Sequence, residues 1–189
     1  MKKIFYNIQK TFPLGDEAFE KLRSSATAIH LKKNDFYLRE GETCSSMGFL
    51  EKGSMRLFYS SPDKEACNDF FFENSVIGSL ASFMAQTPSI VNIVAIEECE
   101  VISFRHSDVF DLIHHYPSIR KLTDFILSEH LIRAEKREEV LLKLSPEDRF
   151  KKLLEEHPKI FKRIPLHFVA SYLNITPETL SRYRSRFLI

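Results

Sequence analysis

The chain has 189 residues, the length of one full domain with a small companion. Hydrophobic residues make up 43% and charged residues 28%, with 27 basic against 26 acidic side chains and only 5 Gly and 8 Pro. That composition supports a packed core and excludes collagen-like, low-complexity and wholly disordered chains.

Residues 16–24 predict a short helix, capped by Asp16, with Phe19 and Leu22 facing inward. From 28 to 105, short runs rich in β-branched and aromatic residues alternate with turn signals. The runs are 28–31, 36–38, 47–50, 55–59, 68–72, 90–95 and 100–104. Between them lie Lys33-Asn34-Asp35, Glu40-Gly41-Glu42, Lys52-Gly53-Ser54 and Ser60-Ser61-Pro62-Asp63. Such punctuation predicts an all-β barrel or sandwich. A capped helix over 107–113 follows and stops before Pro117.

From Ser118 to Leu144 the chain predicts one long helix, about 40 Å at 1.5 Å per residue. Its apolar positions drift around the axis: Ile119, Leu122 and Ile126, then Leu131 and Ala134, then Leu141 and Leu144. A solitary helix of that length needs a partner, which predicts a homodimer; the competing arrangement is a helix lying on its own β domain. Ser145-Pro146-Glu147 carries cap and first-turn proline chemistry for a helix over 146–156, so a domain junction is expected at Leu144 and Ser145.

Charge is divided unevenly. Residues 145–189 hold nine basic and five acidic side chains, net +4, whereas the remainder holds 18 and 21, net −3. A basic tail on an acidic body points to an anionic partner. Cys44, Cys67 and Cys99 are odd in number and form no CxxC pair, so they read as small buried apolar residues. No window approaches 18 consecutive apolar residues, and no apolar run follows the basic N-terminus. Neither a transmembrane helix nor a signal peptide is expected, and the cytoplasm is the expected location. No G-x-S-x-G, Walker or HExxH motif occurs and no HxH pair lies in the β region, so neither catalytic residues nor a metal site is expected.

The stretch from Leu166 to Arg184 is the most informative. It reads as two short helices around a tight turn. Ala170 is small where the second helix must approach, and Val169, Leu173, Ile175, Leu180 and Tyr183 supply apolar contacts. Asn174 sits where left-handed backbone is expected, and Thr176 caps a helix that begins Pro177-Glu178. This is helix-turn-helix spacing. The second helix would enter the major groove, with Arg182 suited to guanine and Glu178 to cytosine. Thr176, Thr179, Ser181 and Ser185 share the candidate interface, and Arg184 and Arg186 are candidates for phosphate contacts. An ordinary helical hairpin is the competing reading.

Together, a β-roll, a long helix and a C-terminal helix-turn-helix resemble the CRP/FNR family of bacterial transcription regulators. Residues 176–182 resemble the family's recognition helix, and Glu40-Gly41-Glu42 with residues 49–56 resemble its early roll turns and strands. Ile77-Gly78-Ser79-Leu80 resembles the start of its phosphate-binding cassette, which continues to Ser89-Ile90-Val91. The resemblance therefore implies Gly78, Ser79, Leu80, Ser89 and Ile90 as ligand-binding candidates. Cyclic-nucleotide-binding members carry Glu where this chain has Ser79 and Arg where it has Ser89. A serine supplies neither a guanidinium's charge nor its two-pronged donors, so tight cAMP or cGMP binding is not expected. Three scattered Cys do not match an iron–sulfur member, and no cofactor is expected.

The expected architecture is α+β: an antiparallel, jelly-roll-like β-roll with flanking helices over 1–117, a long dimerisation helix over 118–144 and a small all-α helix-turn-helix domain over 145–189. The expected function is a dimeric DNA-binding transcription regulator, with double-stranded DNA and an unidentified small-molecule effector as partners. The alternative is a small-molecule-binding or interaction protein whose helix-turn-helix has lapsed.

Overall fold

A computed structural model describes residues 3–187. The elements in chain order are α1 (Lys3–Thr11), α2 (Asp16–Ser24), β1 (Thr27–Leu31), β2 (Phe36–Leu38), β3 (Ser46–Lys52), β4 (Met55–Ser61), β5 (Lys64–Phe71) and β6 (Val76–Ile77). Then come α3 (Leu80–Ala85), β7 (Asn92–Ala95), β8 (Cys99–Arg105), α4 (His106–His115), α5 (Pro117–Lys143), α6 (Pro146–Glu156), α7 (Ile160–Arg163), α8 (Leu166–Leu173) and α9 (Pro177–Phe187). The fold is α+β, with antiparallel sheets followed by a long helix and further helices, as the sequence predicts. The chain divides into two compact units. One comprises residues 3–57 and 70–129, the other 58–69 and 130–187.

The strands form two four-stranded sheets, ordered β1-β8-β3-β6 and β2-β7-β4-β5. In the first sheet every pairing is antiparallel, and β8 lies between β1 and β3 with Ile102 opposite both Ala28 and Phe49. Alternation along β8 explains how the first unit is filled. Cys99 and Val101 pack with Leu50, Ile77 and Ile93 inside the roll, while Ile102 and Phe104 pack against α1, α2 and α4 on the helical side. Phe104 meets Phe5 and Phe49 edge-on, with centroids 6.4 and 5.9 Å away.

Three local expectations need correction. Asp16 does not cap α2; it is the first helical residue, and Gly15 precedes it without a side-chain cap bond. Helix α4 begins at His106, one residue before the expected start, and Arg105 rather than a serine occupies the cap. The Arg105–Asp108 ion pair at 2.9 Å spans that first turn instead. Strand β5 starts at Lys64, where exposed polar residues gave no alternation; there the hairpin with β4 sets the conformation. Helices α1 and α7 and the two-residue β6 are additional elements.

Helix α5 buries Ile119 and Leu122 but leaves Phe125, Leu131, Ile132 and Leu142 exposed. In the second unit, Ser145 caps α6 by accepting from the Asp148 amide at 3.2 Å and donating to its carboxylate at 2.6 Å. The core of this unit is built on Phe150, Leu153, Ile160, Val169, Leu173 and Leu180, all buried. Phe150 holds α6 to α9 through Tyr183 and Phe187, with centroids 5.6 and 5.9 Å away.

Candidate nucleic-acid interface and the roll cassette

Helix α8 ends because Asn174 adopts φ 53°, ψ 50°. The Asn174 amide donates to the Ser171 carbonyl and the Ile175 amide to the Ala170 carbonyl, both at 3.0 Å. That double bond set is a Schellman closure, and it satisfies carbonyls the helix end would otherwise leave open. Thr176 then starts α9 by accepting from the Thr179 amide at 3.2 Å. Ala170 is 1% exposed and Leu180 1%, so the small residue and the apolar anchor both lie at the helix crossing.

The outer stripe of α9 presents Glu178, Ser181, Arg182 and Ser185, all exposed and spaced to share one face. Arg182 donates to Thr179 Oγ1 at 3.1 Å, which aims the guanidinium along the helix. A hydrogen bond from its own amide and one from Thr176 hold the Glu178 carboxyl below its ordinary range, with Arg182 nearby adding to the effect. Thr176 is exposed and Thr179 half-buried. The two phosphate candidates differ from each other. Arg186 is exposed and pairs with Glu147 at 3.1 Å, whereas Arg184 is half-buried and its Nε is buried without a hydrogen-bond partner.

In the roll, Gly78 has φ 145°, and a Cβ there would lie 2.2 Å from Met47 Sδ. L side chains rarely adopt that backbone conformation, and a Cβ would also require the flexible Met47 side chain to shift. Ser79 caps α3, accepting from the Ser82 amide at 3.4 Å. Ser89 is 3% exposed and fully engaged locally. Its hydroxyl donates to the Val91 carbonyl at 2.9 Å and accepts from the Val91 amide at 3.1 Å. Its backbone bonds Gly41 and Glu42, at 2.8 and 2.9 Å. Ile90 points outward, 68% exposed. A cavity of about 480 Å³ lies elsewhere, on the helical side of the first unit, and of the five cassette candidates only Leu80 lines it. Met47, Met84, Phe110 and Leu127 make its walls apolar, with Arg120 and Asp124 also lining it.

None of the three cysteines forms a disulfide, and all are buried. Among the described residues, no three His, Cys, Asp or Glu side chains gather as a metal site, and no helix is long and apolar enough to cross a membrane. Sequence reading missed two residues that order the second unit. Ser171 and Arg137 act through contacts far along the chain, for which local sequence carries no signal. Arg133 pairs with Asp69 at 2.5 Å.

Residues 28–116 match the family model of the cyclic nucleotide-binding domain. FixK2 from Bradyrhizobium japonicum superposes with a TM-score of 0.76 at 17% identity, covering 86% of this chain and 84% of that one. The c-di-GMP-responsive global regulator CLP of Xanthomonas campestris superposes at 0.74 with 15% identity, covering 92% of both chains. This is the CRP/FNR fold. A CooA mutant from Carboxydothermus hydrogenoformans shares it, with a TM-score of 0.70 at 13% identity over 94% of this chain and 87% of that one. No curated protein matches by sequence. Helix α3 and its flanking turns lie within the matched residues 28–116, and α8–α9 is the last helix pair of the chain's described residues.

Proposed function

We propose that the protein is a homodimeric, DNA-binding transcription regulator that acts in the cytoplasm. The observation that carries this reading is the α8–α9 pair: a Schellman-closed turn, a capped second helix, and an exposed stripe of Glu178, Ser181, Arg182 and Ser185. Side chains of that kind near the start of a helix match base edges in the major groove, with arginine suited to guanine and glutamate to cytosine. Arg186, Arg184 and Thr176 flank the stripe as backbone contacts. Residues 1–117 serve as the sensor, 118–144 as the dimerisation helix and 145–189 as the DNA-binding domain.

Pairing through α5 supports the dimer. Arg120, Asp124, Leu127, Leu131, Ala134, Glu138 and Leu141 recur at alternating spacings of four and three, the repeat of a two-stranded seam. Leu131 on that seam is 60% exposed in the single chain. Two recognition helices carried by such a dimer meet successive major grooves about 34 Å apart. The effector is a small molecule other than a cyclic nucleotide, or a state of the roll itself, since Ser79 and Ser89 spend their hydroxyls on local backbone.

The test is fluorescence anisotropy against a pool of random duplexes, titrating salt, with wild type beside Arg182→Ala. Binding that weakens with salt and with the substitution supports a DNA reader. Absence of binding by the wild type, with and without candidate effectors, favours an interaction protein whose helix-turn-helix has lapsed.

A further inference from the structure

The tip of the β4–β5 hairpin belongs to the same compact unit as α6–α9, since residues 58–69 cluster with residues 130–187. Ser171, in α8, grips the edge of that tip from both sides. The Cys67 amide donates to Ser171 Oγ at 2.9 Å, and Ser171 Oγ donates to the Glu65 carbonyl at 3.0 Å. Glu65 and Cys67 are two apart on β5, so their backbone groups face the same way. A hydroxyl is suited to this place because it accepts and donates at once.

Two further contacts converge on the same spot. Arg133 of α5 pairs with Asp69 of β5 at 2.5 Å. Arg137, one turn on, donates to the Tyr172 carbonyl, and its guanidinium lies 3.8 Å from the centre of the Tyr172 ring. Burial pushes the Tyr172 phenol up, against the pull of the Arg137 cation. Three elements distant in sequence, β5, α5 and α8, therefore meet at Ser171 and Tyr172.

We propose that Ser171 is a positioning residue that clasps the β4–β5 hairpin to the first helix of the helix-turn-helix, so that a displacement of the hairpin moves the recognition helix. The part concerning recognition rests on the DNA-binding reading above. Helix α8 carries α9 with it, because Val169, Ala170 and Leu173 share one buried core with Leu180. The hairpin is thus a second route to α9, beside the α5–α6 junction at Ser145.

Hydrogen exchange on the full chain without DNA tests the clasp, comparing wild type, Ser171→Ala and Ser171→Thr. In Ser171→Ala the Cys67 amide and the amides of α8 are expected to exchange together, about fivefold faster, the factor one net hydrogen bond supplies. Ser171→Thr keeps the hydroxyl and is expected to stay near wild type. A response confined to Cys67, no response, or a threonine variant that behaves like alanine overturns the clasp. On a duplex selected by the wild type, Ser171→Ala is expected to change affinity about threefold or more. Unchanged affinity beside faster exchange overturns the link to recognition. A wild type that binds no duplex strikes the DNA reading alone, and the exchange result still decides the clasp.

Discussion

The amide of Ile175 donates to the carbonyl of Ala170 at 3.0 Å, and this bond fixes where the chain leaves one helix to begin the next. It requires Asn174 between them to hold φ 53°. Asparagine tolerates that region and a β-branched residue does not. Asn174→Gly should leave stability nearly unchanged, whereas Asn174→Val should cost about 1–2 kcal/mol. Urea denaturation of the two variants checks the difference.

Arg182 is the side chain of α9 best suited to specify a base. At a selected site Arg182→Ala is expected to lose about 1–3 kcal/mol of binding and relax preference at one position. Arg186→Ala is expected instead to weaken all sequences alike and to lower the salt slope by about one. Anisotropy titrations across a salt series separate the two behaviours.

Leu131 lies on the proposed α5 seam. Leu131→Glu places a carboxylate opposite its symmetry mate and is expected to shift the protein to a 22.1 kDa monomer. Sedimentation velocity reads this directly. A wild type that is already monomeric at micromolar concentration removes the dimer from the proposal.

His130 responds to pH through burial. Desolvation holds its pKa below the ordinary histidine value, against an upward pull from Asp69, while Arg133 lowers it further. The folded state thus favours neutral imidazole. Its contribution is fully present above the unfolded value near 6.5 and is lost as pH falls through that value toward the folded one. Thermal melts of wild type and His130→Gln between pH 5 and 8 should converge at the acid end.

Gly78 combines a backbone that L side chains rarely adopt with the crowding of Met47. Gly78→Ala is expected to cost about 1–3 kcal/mol. Gly41→Ala shares the positive φ but meets nothing within 4 Å, so it should cost less. Comparing their melting midpoints separates backbone strain from packing.

Much of this architecture was legible because its signals are local. The cap at Ser145, the proline after it, the left-handed Asn174 and the cap at Thr176 each act within four residues, and each occurs where the sequence predicts it. Strand signals failed where alternation failed. Lys64 and Glu65 are exposed and polar, and their conformation comes from the hairpin. Arg184 is half-buried, with its Nε turned inward. Its burial depends on how α9 packs, which a charged residue near a helix end does not announce. The family resemblance supplied the cassette, but local geometry decides its chemistry, since Ser89 turns its hydroxyl onto Val91.

The buried thiols have a practical consequence. Cys44 and Cys99 lie in one compact unit and Cys67 in the other, and none exceeds 4% exposure. A thiol reagent reaches them only when the surrounding structure opens. The chain therefore carries its own clocks: the labelling rate of Cys67 times the opening of the hairpin side, and those of Cys44 and Cys99 time the opening of the roll, with no cysteine introduced.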